Sequence, residues 1–180
     1  MYKLFLGCLS VLLFFVSSCQ TPKGSNQVSK SSIINDTKTY FLNMRGDTIR
    51  KLALSDETWK SKLSEMEYKV LRQKGTERAF TGDLLDNKVE GLYTCRGCGM
   101  PLFASKHKFE SGTGWPSFFD VPDKVSIDIS TDYDLGYPRS ELTCAKCGGH
   151  LGHVFDDGPK PTGKRYCINS VSLDFVKAEN

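Results

Sequence analysis

This chain of 180 residues has no apolar run long enough to cross a membrane as a helix. Such a helix needs about 20 consecutive apolar residues, and the stretch Leu4 to Val16 (LFLGCLSVLLFFV) falls short of that. There is no internal repeat, which excludes an array of stacked units. Neither sign of charge dominates: 24 Lys and Arg face 21 Asp and Glu, a formal net charge of +3. Much of that excess lies ahead of residue 40 (Lys3, Lys23, Lys30 and Lys38 against Asp36), so the charge makes no case for a nucleic-acid partner. Histidine is scarce, with three in the chain, so two of them close together carry information. Cysteine is plentiful, but its count of seven is odd.

The N-terminus bears on the compartment. Lys3 gives a short basic start, the apolar run follows, and VSSC at Val16 to Cys19 puts small residues directly before a cysteine. That ending resembles the lipobox of bacterial lipoproteins, which implies a signal peptide over 1–18 and a lipid on Cys19. The expectation is an exported, membrane-anchored lipoprotein on the periplasmic side or cell envelope of a bacterium. An ordinary cleaved signal with Cys19 incidental is the alternative. On either reading Cys8 is discarded.

From Gln20 to Thr39 the chain is rich in Ser, Lys, Asn and Thr and reads as a flexible tether, because it cannot bury enough surface to offset its ordering entropy. Residues 40–54 (YFLNMRGDTIRKLAL) fit either a small hairpin or the end of a 19–54 linker. The remaining 55–180 suit a single domain. Ser55 before Asp56 and Glu57, and Ser64 with Glu67 three residues on, mark two short helices ending near Gly75. After Gly91 short apolar pieces alternate with Gly, Pro and Asp clusters: 92–94, 101–104, 125–129, 142–143, 150–155 and 165–176. This is the pattern of small antiparallel sheets, so the expected class is α+β, mostly β.

CRGC at Cys95 to Cys98 and CAKC at Cys144 to Cys147 form two Cys-x-x-Cys pairs, each followed by glycine. Four thiolates in two such turns satisfy tetrahedral zinc and leave no open position, which makes the metal structural. Two disulfides are the alternative in an exported protein, but a bridge within Cys-x-x-Cys closes a small strained loop. A closed quartet serves nucleic-acid binders and enzymes alike and names no function.

The polar constellation after the second pair is more specific. GGHLGHVFDDG carries His150, His153 and Asp157, and KRYCINS follows with Arg165, Cys167 and Asn169 alternating along one strand face. If 150–155 and 165–170 are neighbouring strands, these side chains converge. A cation and imidazoles near a thiol favour its nucleophilic thiolate, and a histidine can protonate a departing oxygen. Asp157 could orient a histidine or hold Arg165. The structural alternative for each is inert packing or an ordinary ion pair. His107, alone in a lysine-flanked stretch, reads as surface.

SGTGWPSF (Ser111 to Phe118), HLGHVFDDG (His150 to Gly158) and RYCINSVSL (Arg165 to Leu173), framed by CRGC and CAKC, resemble the methionine-R-sulfoxide reductases of the B type over about residues 55–176. The resemblance implies two small antiparallel sheets with short N-terminal helices, a structural zinc on Cys95, Cys98, Cys144 and Cys147, and reduction of methionine-R-sulfoxide, free or in proteins, by a monomer. It implies Cys167 as nucleophile, His153 and His150 as proton source, and Asn169, Arg165 and Asp157 as groups that hold the site. Trp115, helped by Phe155, would be the wall for the substrate methyl.

Many members of that family carry a resolving cysteine before the tryptophan, where this chain has Thr113. With the other thiols assigned, Cys167 is alone, and a thioredoxin-like protein or small thiol must recycle it. Two rival classes stay open at this level. A zinc-ribbon binding module would want a basic, aromatic face. A thiol hydrolase would need oxyanion donors, for which no motif exists.

Overall fold

The computed structural model describes residues 40–179, so the expected signal peptide over 1–18, Cys19 and the expected tether lie outside the described residues. Among the described residues no helix is long and apolar enough to cross a membrane. Both expected helices form, α1 at Asp56–Lys62 and α2 at Glu65–Gln73. Ser55 caps α1 by accepting from the Thr58 amide. Ser64 and Glu67 satisfy each other's amides in a capping box, at 2.8 and 3.4 Å. Lys74, with a left-handed φ of 57°, ends α2.

The strands are β1 (Tyr40–Leu42), β2 (Thr48–Arg50), β3 (Gly91–Cys95), β4 (Pro101–Ala104), β5 (Lys108–Phe109), β6 (Ser117–Phe118), β7 (Ile127–Asp132), β8 (Arg139–Cys144), β9 (His150–Phe155), β10 (Arg165–Ile168) and β11 (Leu173–Lys177). They make a six-stranded sheet in the order β5-β6-β10-β9-β8-β7, a three-stranded sheet β11-β3-β4 and the hairpin β1-β2. All pairings are antiparallel. The expected mostly-β architecture with short N-terminal helices holds, with three sheets in place of two. The core joins the two larger sheets: Phe103 of β4 stacks on Phe118 of β6 at 4.4 Å between ring centres, and Tyr93 of β3 meets Phe118 edge-on at 5.0 Å.

Two sequence-based strands are corrected. Asp123 caps a 3-10 turn at Lys124–Ser126, accepting from the Val125 amide at 3.2 Å, so the strand starts at Ile127 and not Val125. The run 165–176 is two strands in different sheets, separated by a 3-10 turn at Ser170–Ser172. The cause is local: the Ser172 hydroxyl donates to the Asn169 carbonyl at 2.8 Å, and the amides of Ser170 and Val171 turn inward to the Glu77 carboxylate.

The segment 40–54, left open between hairpin and linker, is a hairpin followed by an extended strap. Phe41, Ile49, Leu52 and Leu54 pack against the core, and the Leu52 amide donates to the Lys146 carbonyl at 2.6 Å. A chain truncated to start at residue 40 should therefore melt higher than one starting at Ser55. Equal melting temperatures would show that the strap contributes nothing to the fold.

Candidate active site

The two Cys-x-x-Cys turns meet. Cys95 closes β3 and Cys144 closes β8, and the four sulfurs lie within 4.8 Å of one another. Cys95 and Cys147 are 3.6 Å apart, and Cys98 and Cys144 3.5 Å. Tetrahedral thiolates around a zinc-sized ion at about 2.3 Å stand about 3.8 Å apart, whereas a disulfide needs about 2.05 Å. The donor set thus fits a metal ion and not two bridges, and all four thiols are free. Gly99 (φ 70°) and Gly148 (φ 67°) take the left-handed turn after each pair, donating to Cys95 and Cys144 carbonyls at 2.8 and 2.7 Å. Helix α2 backs the second turn through Arg72, which donates to the Cys147 carbonyl at 3.0 Å.

The conditional at the heart of the sequence reading is met: β9 and β10 are neighbours, with Cys167 opposite His153. Period-two alternation would nonetheless put His150 and His153 on opposite faces. The β8–β9 register shifts between Leu142 and Thr143, pairing Leu142 with Gly152 and Thr143 with His150. Leu151 is thus the extra residue of a bulge, which re-aims the strand. Both imidazoles end on one side, ring centres 5.4 Å apart. Gly152 is required beside them, since a Cβ there would lie 2.0 Å from the Cys167 carbonyl oxygen.

Each histidine has a carboxylate that sequence reading missed. His153 Nε2 lies 2.6 Å from Asp132, which also accepts from Arg139 at 2.7 Å. His150 Nδ1 lies 2.8 Å from Glu141, which Lys74 also meets at 2.7 Å. Burial pushes His150 below the ordinary imidazole range, against the pull of Glu141. For Asp132 the Asp134 amide, then His153, holds the carboxyl down to about 2. The local sequence offers no signal for either acid, because strand pairing delivers them: β8 against β9 for Glu141, and the β7–β8 hairpin for Asp132.

Cys167 faces a cleft of about 140 Å³ lined in part by Trp115, His153, Phe155, Arg139 and Asn169. The Thr113 hydroxyl lies 3.9 Å from its sulfur. Burial pushes the thiol up from its ordinary value, and Arg165, Thr113 and Ser117 pull it back only in part. Arg165 does favour the thiolate, as the sequence suggests, but burial outweighs it and the two hydroxyls together. Asp157 holds Arg165, by two bonds of 2.9 Å, and not a histidine. Arg165 in turn lies 4.3 Å over the Phe155 ring. Asn169 is a brace, donating to the Leu151 carbonyl at 3.0 Å and accepting from the Glu77 amide at 3.0 Å. Glu77 was also missed: its carbonyl accepts from the Trp115 indole at 3.2 Å, so one loop residue fixes cleft wall and strand end together. His107 is half-buried, with its ring 5.3 Å from Phe119, rather than free at the surface.

Residues 63–177 match the SelR domain. The chain belongs to the SelR domain family. It is 57% identical over 130 residues to a peptide methionine sulfoxide reductase MsrB of Methanosarcina mazei, covering 72% of this chain and 93% of that one. A protein of the same name from Leptospira interrogans is 56% identical over 123 residues, 68% of this chain and 94% of its own. The mouse mitochondrial methionine-R-sulfoxide reductase B3 is 48% identical over 130 residues, 72% of this chain and 51% of its own length. The SelR match contains the cysteine quartet, the histidine pair with both carboxylates, and Cys167, while the hairpin and strap precede it.

Replacing Cys95 or Cys144 by Ser should abolish metal binding and lower the melting temperature by more than about 10 °C, since metal binding to a closed quartet is folding free energy. Elemental analysis and a thermal melt read both, and metal-free wild-type protein would overturn the expectation. Asp132 gives a pH test. Its folded-state value near 2 lies below the ordinary 3.8, so its charge stabilises the fold above about pH 4 and that contribution is lost as pH falls toward 2. Asp132→Asn should melt below wild type at pH 7, with the gap closing in that acid window. A gap independent of pH would assign the loss to packing.

Proposed function

We propose that this chain is a peptide-methionine (R)-S-oxide reductase in which Cys167 takes the oxygen from methionine-R-sulfoxide. The observation that carries the reading is the pairing of Cys167 with His153 across β9 and β10, in a cleft walled by Trp115 and Phe155, within a SelR domain. The indole face and the Phe155 ring suit the sulfur-linked methyl of the substrate. Cys167 passes its proton to His153 on approach of the sulfoxide, with Arg165 and the Thr113 hydroxyl stabilising the developing charge, and His153 holds that proton for the substrate oxygen. The sulfur then attacks the sulfoxide sulfur, while His153, steadied by Asp132, supplies a proton to the oxygen. The bond between the two sulfurs and the substrate S–O bond then break as the protonated oxygen passes to the Cys167 sulfur, leaving a sulfenic acid there, so cysteine is oxidised by two electrons and the substrate leaves as methionine. His150, buried against Glu141, backs His153 and does not meet the substrate directly.

Thr113 occupies the place beside the Cys167 sulfur from which a second thiol could attack, and its hydroxyl cannot form a disulfide. Two external thiols must therefore return the sulfenic acid to thiol, releasing water and leaving as a disulfide. A thioredoxin-like protein or a small thiol fits that role. The cysteine quartet we assign to zinc in a structural capacity, with its four positions filled by protein sulfur. The run Leu4 to Val16 before Cys19 supports export and lipid anchoring in a bacterial envelope.

The test is turnover of resolved sulfoxide epimers by the purified chain with excess dithiol. The R epimer should be reduced and the S epimer not, and Cys167→Ser should remove the activity. With sulfoxide and no reductant, a dimedone-type trap should label Cys167. Comparable turnover of both epimers, or a disulfide between Cys167 and a quartet cysteine in place of the label, would sink the reading.

A further inference from the structure

Phe80 lies outside the chemistry above, and folding does not account for its placement. Its backbone is left-handed, with φ 65°, a conformation that a bulky aromatic residue rarely adopts and only at a cost. Burial does not offset that cost, because the residue is 69% exposed. It is nonetheless held firmly. The Phe80 amide donates to the Gly114 carbonyl at 2.8 Å, and its ring lies so close to Gly114 that a Cβ there would meet it at 2.9 Å. Gly114 stands between Thr113, which reaches the Cys167 sulfur, and Trp115, which walls the cleft. An exposed aromatic ring is thus propped against the loop that borders the reactive thiol.

A second exposed apolar patch adjoins, in the chain, a residue of the same cleft. Arg139 lines the cleft, and the Asp132–Arg139 pair is the last of the β7–β8 hairpin. The loop beyond that pair leaves Tyr133, Leu135 and Tyr137 exposed at 67%, 60% and 55%. The charges at the cleft are engaged: Arg139 with Asp132, and Arg165 with Asp157. A free amino acid would bring an ammonium and a carboxylate that need charged partners once desolvated. A residue inside a polypeptide brings neutral amides, and its neighbours' side chains extend beyond the cleft.

We propose that Phe80 is a specificity-determining residue which, with the Tyr133–Tyr137 loop, reads apolar side chains flanking the sulfoxide. Within polypeptide substrates the enzyme then takes methionine-R-sulfoxide flanked by apolar residues in preference to the same residue flanked by polar ones. The proposal rests on the reductase reading above and adds the sequence context of the substrate to it.

The experiment compares the full chain with Phe80→Gly and Phe80→Leu on three R-sulfoxide substrates: the free amino acid, a capped five-residue peptide flanked by leucines, and the same peptide flanked by serines. Wild type should favour the leucine peptide over the serine peptide by about tenfold in kcat/KM, the order expected from one partly buried apolar contact. Phe80→Gly should erase most of that difference through KM, leave the free amino acid within about twofold, and melt no lower than wild type, since glycine accepts the left-handed backbone. Phe80→Leu should keep much of the preference. Absence of a flank preference in wild type, or an equal loss on all three substrates in Phe80→Gly, overturns the proposal. Calorimetric titration with the leucine peptide carrying reduced methionine reads the contact without turnover. Weaker binding to Phe80→Gly supports the proposal and unchanged binding defeats it. If wild type reduces none of the substrates, the reductase reading falls, while this titration still decides the role of Phe80.

Discussion

The meeting of the two cysteine turns is the constraint on which the remaining geometry depends. One turn ends β3 of the three-stranded sheet, and the other joins β8 to β9 of the six-stranded sheet. β3 also pairs with β11, with Leu173 opposite Cys95, and β11 continues the chain that carries Cys167 on β10. Fastening four sulfurs within a few ångströms therefore closes a circuit: quartet, β3, β11, β10, β9 and back to the quartet. The Cys167 thiol and the two histidines have their relative positions set by that circuit and by the aromatic cluster of Tyr93, Phe103 and Phe118 inside it. The long loop between Cys98 and Cys144 is where such a closure restricts the unfolded chain most.

Within that frame the site works by opposing demands on charge. A dry pocket suits an apolar methyl group but disfavours a thiolate, and burial raises the Cys167 thiol accordingly. Arg165 and the hydroxyls of Thr113 and Ser117 offset part of this. The histidines are treated likewise: each is backed by a carboxylate that is itself tied to a cation, Asp132 to Arg139 and Glu141 to Lys74. Charge is balanced pair by pair rather than left to solvent, the arrangement a low-dielectric site requires. Glu77 extends the same economy to the scaffold, since one residue fixes the Ser170 and Val171 amides, Asn169 and the Trp115 indole.

Much of this was legible in the sequence, wherever the signal is local or strictly spaced. Helix caps at Ser55 and Ser64, the two Cys-x-x-Cys turns with their glycines, and the alternation of Arg165, Cys167 and Asn169 depend on residues a few positions apart, whose geometry the backbone alone dictates. Motifs of that kind identified the family resemblance and placed the thiol beside the histidines. What only the tertiary structure decided depends on register and on desolvation. The bulge at Leu151 turns His150 to the side of His153, the β8–β9 pairing lays Glu141 beside them, and the β7–β8 hairpin folds Asp132 back to the same place. The break at Ser170–Ser172 moves one apparent strand into two sheets because Glu77, more than ninety residues away, captures the amides. The direction of the Cys167 shift follows from how much water the fold removes, a sum over many distant atoms that no short motif encodes.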